Sequence, residues 1–134
     1  MRIEWTEDLA TGVETIDSQH REIIGMANRL RDAAEGGAGQ EQIAPAVAFL
    51  EEYVRNHFAM EEMYMKRLVY PDYPGHKGEH TAFIGDFFDF QQALDDQGAT
   101  PALAAALADR LNDWLLNHIA RRDRALGAFL RGKR

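Results

Sequence analysis

Three breaks rich in glycine and proline divide this chain into four long runs and limit what it can fold into. They are Gly36-Gly37-Ala38-Gly39, Tyr70-Pro71-Asp72-Tyr73-Pro74-Gly75 and Gln97-Gly98-Ala99-Thr100-Pro101. Between them apolar residues recur every three or four positions, which is the period of a helix face; strand-like alternation and internal repeats are not evident. The spacing predicts helices over about 15–35, 40–68, 75–97 and 101–120, a short tail helix over about 124–131, and an extended N-terminal arm over 1–14. Thr15 or Asp17 is available to cap the first helix, and Thr100-Pro101 supplies an N-cap followed by proline at the first helical position. Pro45 is tolerable if it falls in the opening turn, and Trp5 is a candidate to pack the arm on the helices. Short connections make consecutive helices antiparallel neighbours. The expected fold is therefore all-α: an up-down-up-down antiparallel four-helix bundle, one domain over residues 1–134.

The apolar stripes carry polar passengers. In the second run Ile43, Val47, Leu50 and Val54 are followed in phase by His57, Glu61, Tyr64 and Leu68. The fourth reads Leu103, Leu107, Leu111, Leu115 and then His118; the first has His20 ahead of Ile23, Ile24, Ala27 and Leu30; the third has His76 and His80 ahead of Phe83, Ile84 and Phe87. All five histidines thus lie on predicted buried stripes, and each helix supplies at least one. His57 falls about 17 residues into its helix and His118 about 18 into its own, at ~1.5 Å per residue, while His20 and His76 open helices that run the other way. The ligand types therefore converge at one level. Burying them without partners would cost several kcal/mol each, and a metal ion removes that cost by giving each lone pair a bond.

Composition narrows which metal chemistry is available. The chain has no cysteine, so thiolate zinc sites, Fe–S clusters, disulfides and cysteine nucleophiles are excluded, and any metal must be held by histidine and carboxylate. A net charge of −7 argues against nucleic acid or an anionic membrane surface as partner. The clustered Arg121, Arg122 and Arg124, with Arg131 to Arg134, read as a solvated end. No run approaches the roughly 20 apolar residues of a membrane span, and the start of the chain lacks the apolar stretch of a signal peptide. No membrane insertion and a cytoplasmic location are the expectation. Taken singly, Glu62 is out of phase and reads as a solvated charge, and Asp123 lies past the helical run and reads as surface.

Taken together, the motifs resemble the hemerythrins, in particular the single-domain bacteriohemerythrins. The resemblance spans nearly the whole chain: Trp5, Ile16-Asp17-Ser18-Gln19-His20, His57-Phe58-Ala59-Met60-Glu61-Glu62, Tyr70-Pro71 with His76-Lys77-Gly78-Glu79-His80, and Trp114-Leu115-Leu116-Asn117-His118-Ile119 with Asp123. It implies two iron ions, a non-haem di-iron centre with an oxo or hydroxo bridge. His76, His80 and His118 would serve one iron, His20 and His57 the other, and Glu61 and Asp123 would bridge them. It also implies an oxygen pocket lined by Ile23, Phe58, Trp114, Leu115 and Ile119, all apolar here. On that ligand count one position stays open, on the iron with two histidines, where dioxygen would bind.

The function this implies is reversible dioxygen binding for transport, storage or delivery, with no enzymatic turnover. Carboxylate-rich oxygenase sites use Glu-x-x-His motifs, and this chain has none. The alternatives are an oxygen or nitric oxide sensing module, a di-iron enzyme reducing peroxide or nitric oxide or repairing iron centres, and a structural zinc site. Dioxygen is the expected partner, with an oxygen-consuming recipient protein left open.

Overall fold

The computed structural model describes residues 4–37, 40–98 and 100–132. Residues 1–3 of the arm, Ala38 and Gly39 of the first break, Ala99 of the third, and Lys133 and Arg134 of the basic end lie outside the described residues. A 3-10 turn at Glu7–Leu9 precedes α1 (Glu14–Glu35), α2 (Gln40–Arg67), α3 (Tyr73–Gln97) and α4 (Pro101–His118); a π turn at Ile119–Asp123 then leads directly into α5 (Arg124–Arg131). The described residues contain no strand, and the fold is a four-helix bundle. Its sides are α1 against α2 and α4, and α3 against α2 and α4. No helix among the described residues is long and apolar enough to cross a membrane.

Several ends differ from the sequence expectation, each for a local reason. Neither Thr15 nor Asp17 caps α1; Val13 holds the cap position without a side-chain bond. Asp17 instead accepts from the Thr11 backbone N–H and hydroxyl, at 2.9 and 2.8 Å, and so ties the arm to the bundle. The arm is not simply extended, since its 3-10 turn buries Leu9. Pro45 is the sixth residue of α2, past the opening turn, so the helix forgoes one backbone hydrogen bond there. α3 starts at Tyr73, with Pro74 in its first turn, where a missing N–H goes unnoticed. Thr100 caps α4 as expected, accepting from Leu103 N at 3.2 Å.

α5 lies close against the arm. A Cβ on Gly127 would come within 2.2 Å of the Thr11 carbonyl oxygen, so only glycine permits this approach. At the end of α2, Val69 takes a left-handed φ of 55°, which lets the Tyr70 N–H reach back to the Met65 carbonyl at 2.9 Å.

The interior has two apolar clusters. The larger includes Ile23, Ile24, Val54, Phe83, Phe87, Leu111, Leu115 and Ile119; the smaller joins Ile16, Met65, Tyr70 and Leu126. In α1, α2 and the α4–α5 run, the polar residues of interest fall in sequence between members of the two clusters.

Candidate metal centre

His20 follows Ile16 of the small cluster by one turn and precedes Ile23 of the large one. His57 and Glu61 stand between Val54 and Met65 in the same way, while His76 and His80 come from the first two turns of α3. His118 closes α4 and Asp123 closes the π turn. In a regular α-helix a residue five places beyond His118 would point about 140° away. The i→i+5 winding of the π turn is wider and brings Asp123 back to His118's side. That local departure, invisible to a 3.6-residue period, is why Asp123 reads as surface from sequence alone.

All seven residues are at most 2% exposed. Their donor atoms form two overlapping groups, each lying within 4.8 Å of one another: Glu61, His76, His80, His118 and Asp123, and His20, His57, Glu61 and Asp123. The carboxylates divide their oxygens between the groups. Glu61 Oε1 is 3.2 Å from Nε2 of both His76 and His80, while its Oε2 is 2.9 Å from His57 Nε2 and 3.5 Å from His20 Nε2. Asp123 Oδ1 is 3.0 Å from His76 Nε2 and 3.1 Å from His118 Nε2, and its Oδ2 is 2.9 Å from His20 Nε2. Each carboxylate thus reaches both groups, as a bridge must.

The backs of the rings set their protons. Carboxylates can only accept, so His80 Nδ1 donates to Glu62 Oε2 at 3.0 Å and His118 Nδ1 donates to Glu79 Oε1 at 2.9 Å. His57 Nδ1 donates to the Gln19 side-chain amide oxygen Oε1 at 2.6 Å. A neutral imidazole protonated at Nδ1 has a bare lone pair at Nε2. His80 Nε2 and His118 Nε2 face each other at 3.2 Å, each also close to a carboxylate oxygen. Nearby, His20 Nε2, His57 Nε2, Glu61 Oε2 and Asp123 Oδ1 have no partner in hydrogen-bond geometry, although ion-pair distances are short. These atoms crowd together without hydrogen-bonding one another, inside the two groups of donor atoms that could hold a metal ion. A cation within each group would satisfy them, and an all-imidazole and carboxylate set suits a divalent first-row metal.

Without a metal, protons take part of that task. Burial lowers the His20 imidazole, but contact with Asp123 and Glu61 outweighs it and raises the group to about 10. His76 is subject to the same opposition and rises to about 9. Burial and the Glu61 charge push Asp123 up, while His118 and His20 more than reverse this and hold it far below the carboxylate range. Burial likewise works against ionised Glu61, and His57, His20 and His76 override it.

The sequence profile of the Hemerythrin HHE cation binding domain matches residues 11–130. The chain belongs to the hemerythrin family. It is 36% identical over 122 residues to the bacteriohemerythrin of Pseudomonas aeruginosa, covering 89% of this chain and 75% of that one. It is 32% identical to the bacteriohemerythrin of Methylococcus capsulatus, covering 94% and 95%. The crystal structure of a wild-type hemerythrin superposes with a TM-score of 0.87 at 31% identity, covering 96% of this chain and 97% of that chain.

Around this cluster of histidines and carboxylates, two sequence expectations need correction. Glu62 is not a free solvated charge: it holds His80 Nδ1 and is itself paired with Lys77 at 2.8 Å. Arg122 is not part of a solvated basic end, because it pairs with Glu79 and Asp72, each at 2.5 Å. Sequence reasoning assigned no role to Gln19 or Glu79. Their position beside or one short of a histidine was the available signal, but it does not say which ring each will meet. Of the five residues expected to line an oxygen pocket, Ile23, Phe58, Leu115 and Ile119 are buried in the large cluster and Trp114 packs against it. Phe58 also stacks on His80, with centroids 3.9 Å apart and planes at 3°, and Trp114 stacks on His118 at 4.2 Å and 14°.

Proposed function

We propose that this protein binds dioxygen reversibly, as a carrier, store or delivery protein, at a non-haem pair of iron ions. His76, His80 and His118 would hold one ion, His20 and His57 the other, with Glu61 and Asp123 shared. The observation that carries the reading is the split of each carboxylate between two groups of inward-facing imidazole nitrogens. When bound, two ferrous ions supply the two electrons that dioxygen takes up and returns.

The chain's own residues supply everything else. Glu62, Glu79 and Gln19 keep three Nδ1 protons turned outward, so that Nε2 faces the centre. Glu61 and Asp123 are kept ionised by their histidine neighbours, which lets them offer both oxygens. Ile23, Leu115 and Ile119, all within the buried large cluster, would keep water from the side with two histidines. These three aliphatic side chains hold no group that could give or take a proton, which favours binding over turnover.

Iron analysis combined with an anaerobic optical titration against oxygen tests the reading. We expect two irons per chain and an absorption band that forms with oxygen and vanishes when oxygen is removed. Stoichiometric zinc in protein grown with ample iron, or irreversible oxygen consumption, would overturn it.

A further inference from the structure

The two bridging carboxylates are common to both metal positions, so the positions differ only in the number of imidazoles and in what stands behind them. There the chain is lopsided. On the side of His76, His80 and His118, two rings are backed by full negative charges: Glu62 on His80 and Glu79 on His118. Both of those rings are also held face to face by an aromatic neighbour, Phe58 and Trp114. On the side of His20 and His57, one ring is backed by the neutral side-chain amide of Gln19, and the two rings meet only edge-on, as His76 also meets His80 and His118, with no stacked aromatic neighbour among the described residues. His20 Nδ1 and His76 Nδ1 have no hydrogen-bond partner among the described residues, so each side carries one unbacked ring and these cancel.

A carboxylate that accepts the Nδ1 proton draws it outward and enriches Nε2, making the imidazole a stronger donor to a cation; a neutral amide does so less. Neither carboxylate is free to swing away. Glu62 gives its other oxygen to Lys77 and Glu79 gives its other oxygen to Arg122, so each is clamped between an outer cation and an inner ring.

We propose, resting on the di-iron reading above, that Glu62 and Glu79 are positioning residues that make the three-histidine position the one filled first and emptied last. The neutral backing of Gln19 leaves the two-histidine position the labile one. Partly depleted protein then carries a single ion held by His76, His80 and His118, with the remaining position vacated by mass action rather than by unfolding. The extra imidazole on that side favours the same order, and the substitutions below isolate the contribution of the backing charges.

The test starts from iron-loaded protein, exposed anaerobically to a ferrous chelator and followed by native mass spectrometry. The parent protein should pass through a one-iron species. Glu79→Gln and Glu62→Gln keep an acceptor for the Nδ1 proton and remove only its charge. Each should speed the second departure by about 10–100-fold and leave the first nearly unchanged. The reverse substitution, Gln19→Glu, puts a charge behind His57 and should slow the first departure by about 10-fold. Damage to the fold cannot produce that gain. Two irons leaving together at every time point, a Glu79→Gln effect confined to the first departure, or a Gln19→Glu variant that loses its first iron as fast as the parent would each overturn the proposal while leaving the di-iron reading intact. A parent that never holds two irons overturns both.

Discussion

The large apolar cluster and the histidine layer beside it are equally buried, yet opposite forces hold them. Phe83, Phe87, Leu107 and Leu111 are excluded from water in a dry core, and each methylene stabilises the fold wherever it finds contact. Five imidazoles and two carboxylates at the same depth are a liability unless their lone pairs meet a charge. One region tolerates substitution in proportion to lost volume. The other depends on a few directed atoms. The comparison teaches that burial alone does not define a core; what fills the space between side chains does.

The largest expected difference between these regions is in metal content. Glu61→Ala removes both oxygens that Glu61 divides between the groups, so at least one iron and the oxygen-dependent spectrum should be lost. Leu111→Ala, in the dry core, should keep both irons while costing about 2–5 kcal/mol of stability. Metal analysis of the two variants checks this, and a Glu61→Ala protein retaining two irons would erase the distinction.

Removing the metal should reverse how stability responds to pH. His20 and His76 are raised to about 10 and about 9 in the metal-free chain. A raised imidazole contributes stability that is complete below its unfolded value of about 6.5 and is lost as pH rises through the folded value. Glu61 and Asp123 are lowered, so their contribution is present above the ordinary carboxylate range and lost only as pH falls through their depressed values. Chelated protein should therefore weaken steadily from about pH 6.5 to 10. Iron-loaded protein should gain stability over the lower part of that window, because protons compete with the metal for the same nitrogens. Denaturant midpoints measured at several pH values for both forms decide it; parallel curves would mean that the imidazole protons do not stand in for the cation.

Leu115 sharpens the comparison because it belongs to the dry cluster and precedes His118 by three residues. Trimming it to Ala should keep both irons, lower stability by about 2–5 kcal/mol, and hasten decay of the oxygenated form as water gains access. Leu116→Ala, which trims only a partly buried side chain, is the control. Unchanged decay for Leu115→Ala in stopped-flow measurements would make this leucine ordinary core.

The smallest effect expected lies outside both regions. Val69 is exposed and holds a left-handed backbone that suits glycine, so Val69→Gly should raise stability by about 1 kcal/mol with no change in iron content. A loss of stability, seen by thermal unfolding, would show that the Val69 side chain contributes more than its backbone costs.

Local repetition wrote much of this protein into its sequence. Apolar residues at helical spacing between Gly and Pro breaks marked four helices, and the same phase put His20, His57, Glu61, His76, His80 and His118 on buried faces. Those properties depend on residues three or four apart, and a helix of fixed pitch relates them without further information. What the tertiary structure alone decided depends on how far each helix turns and slides against its neighbours. Glu79 meets His118 across 39 positions, Gln19 meets His57 across 38, and Glu62 meets His80 across 18. No period links such pairs, so two carboxylates and an amide with no role legible in the sequence became the supports of the rings. The motif placed Asp123 by resemblance, but only a π turn, which breaks the period that made everything else legible, carries its carboxylate to the centre.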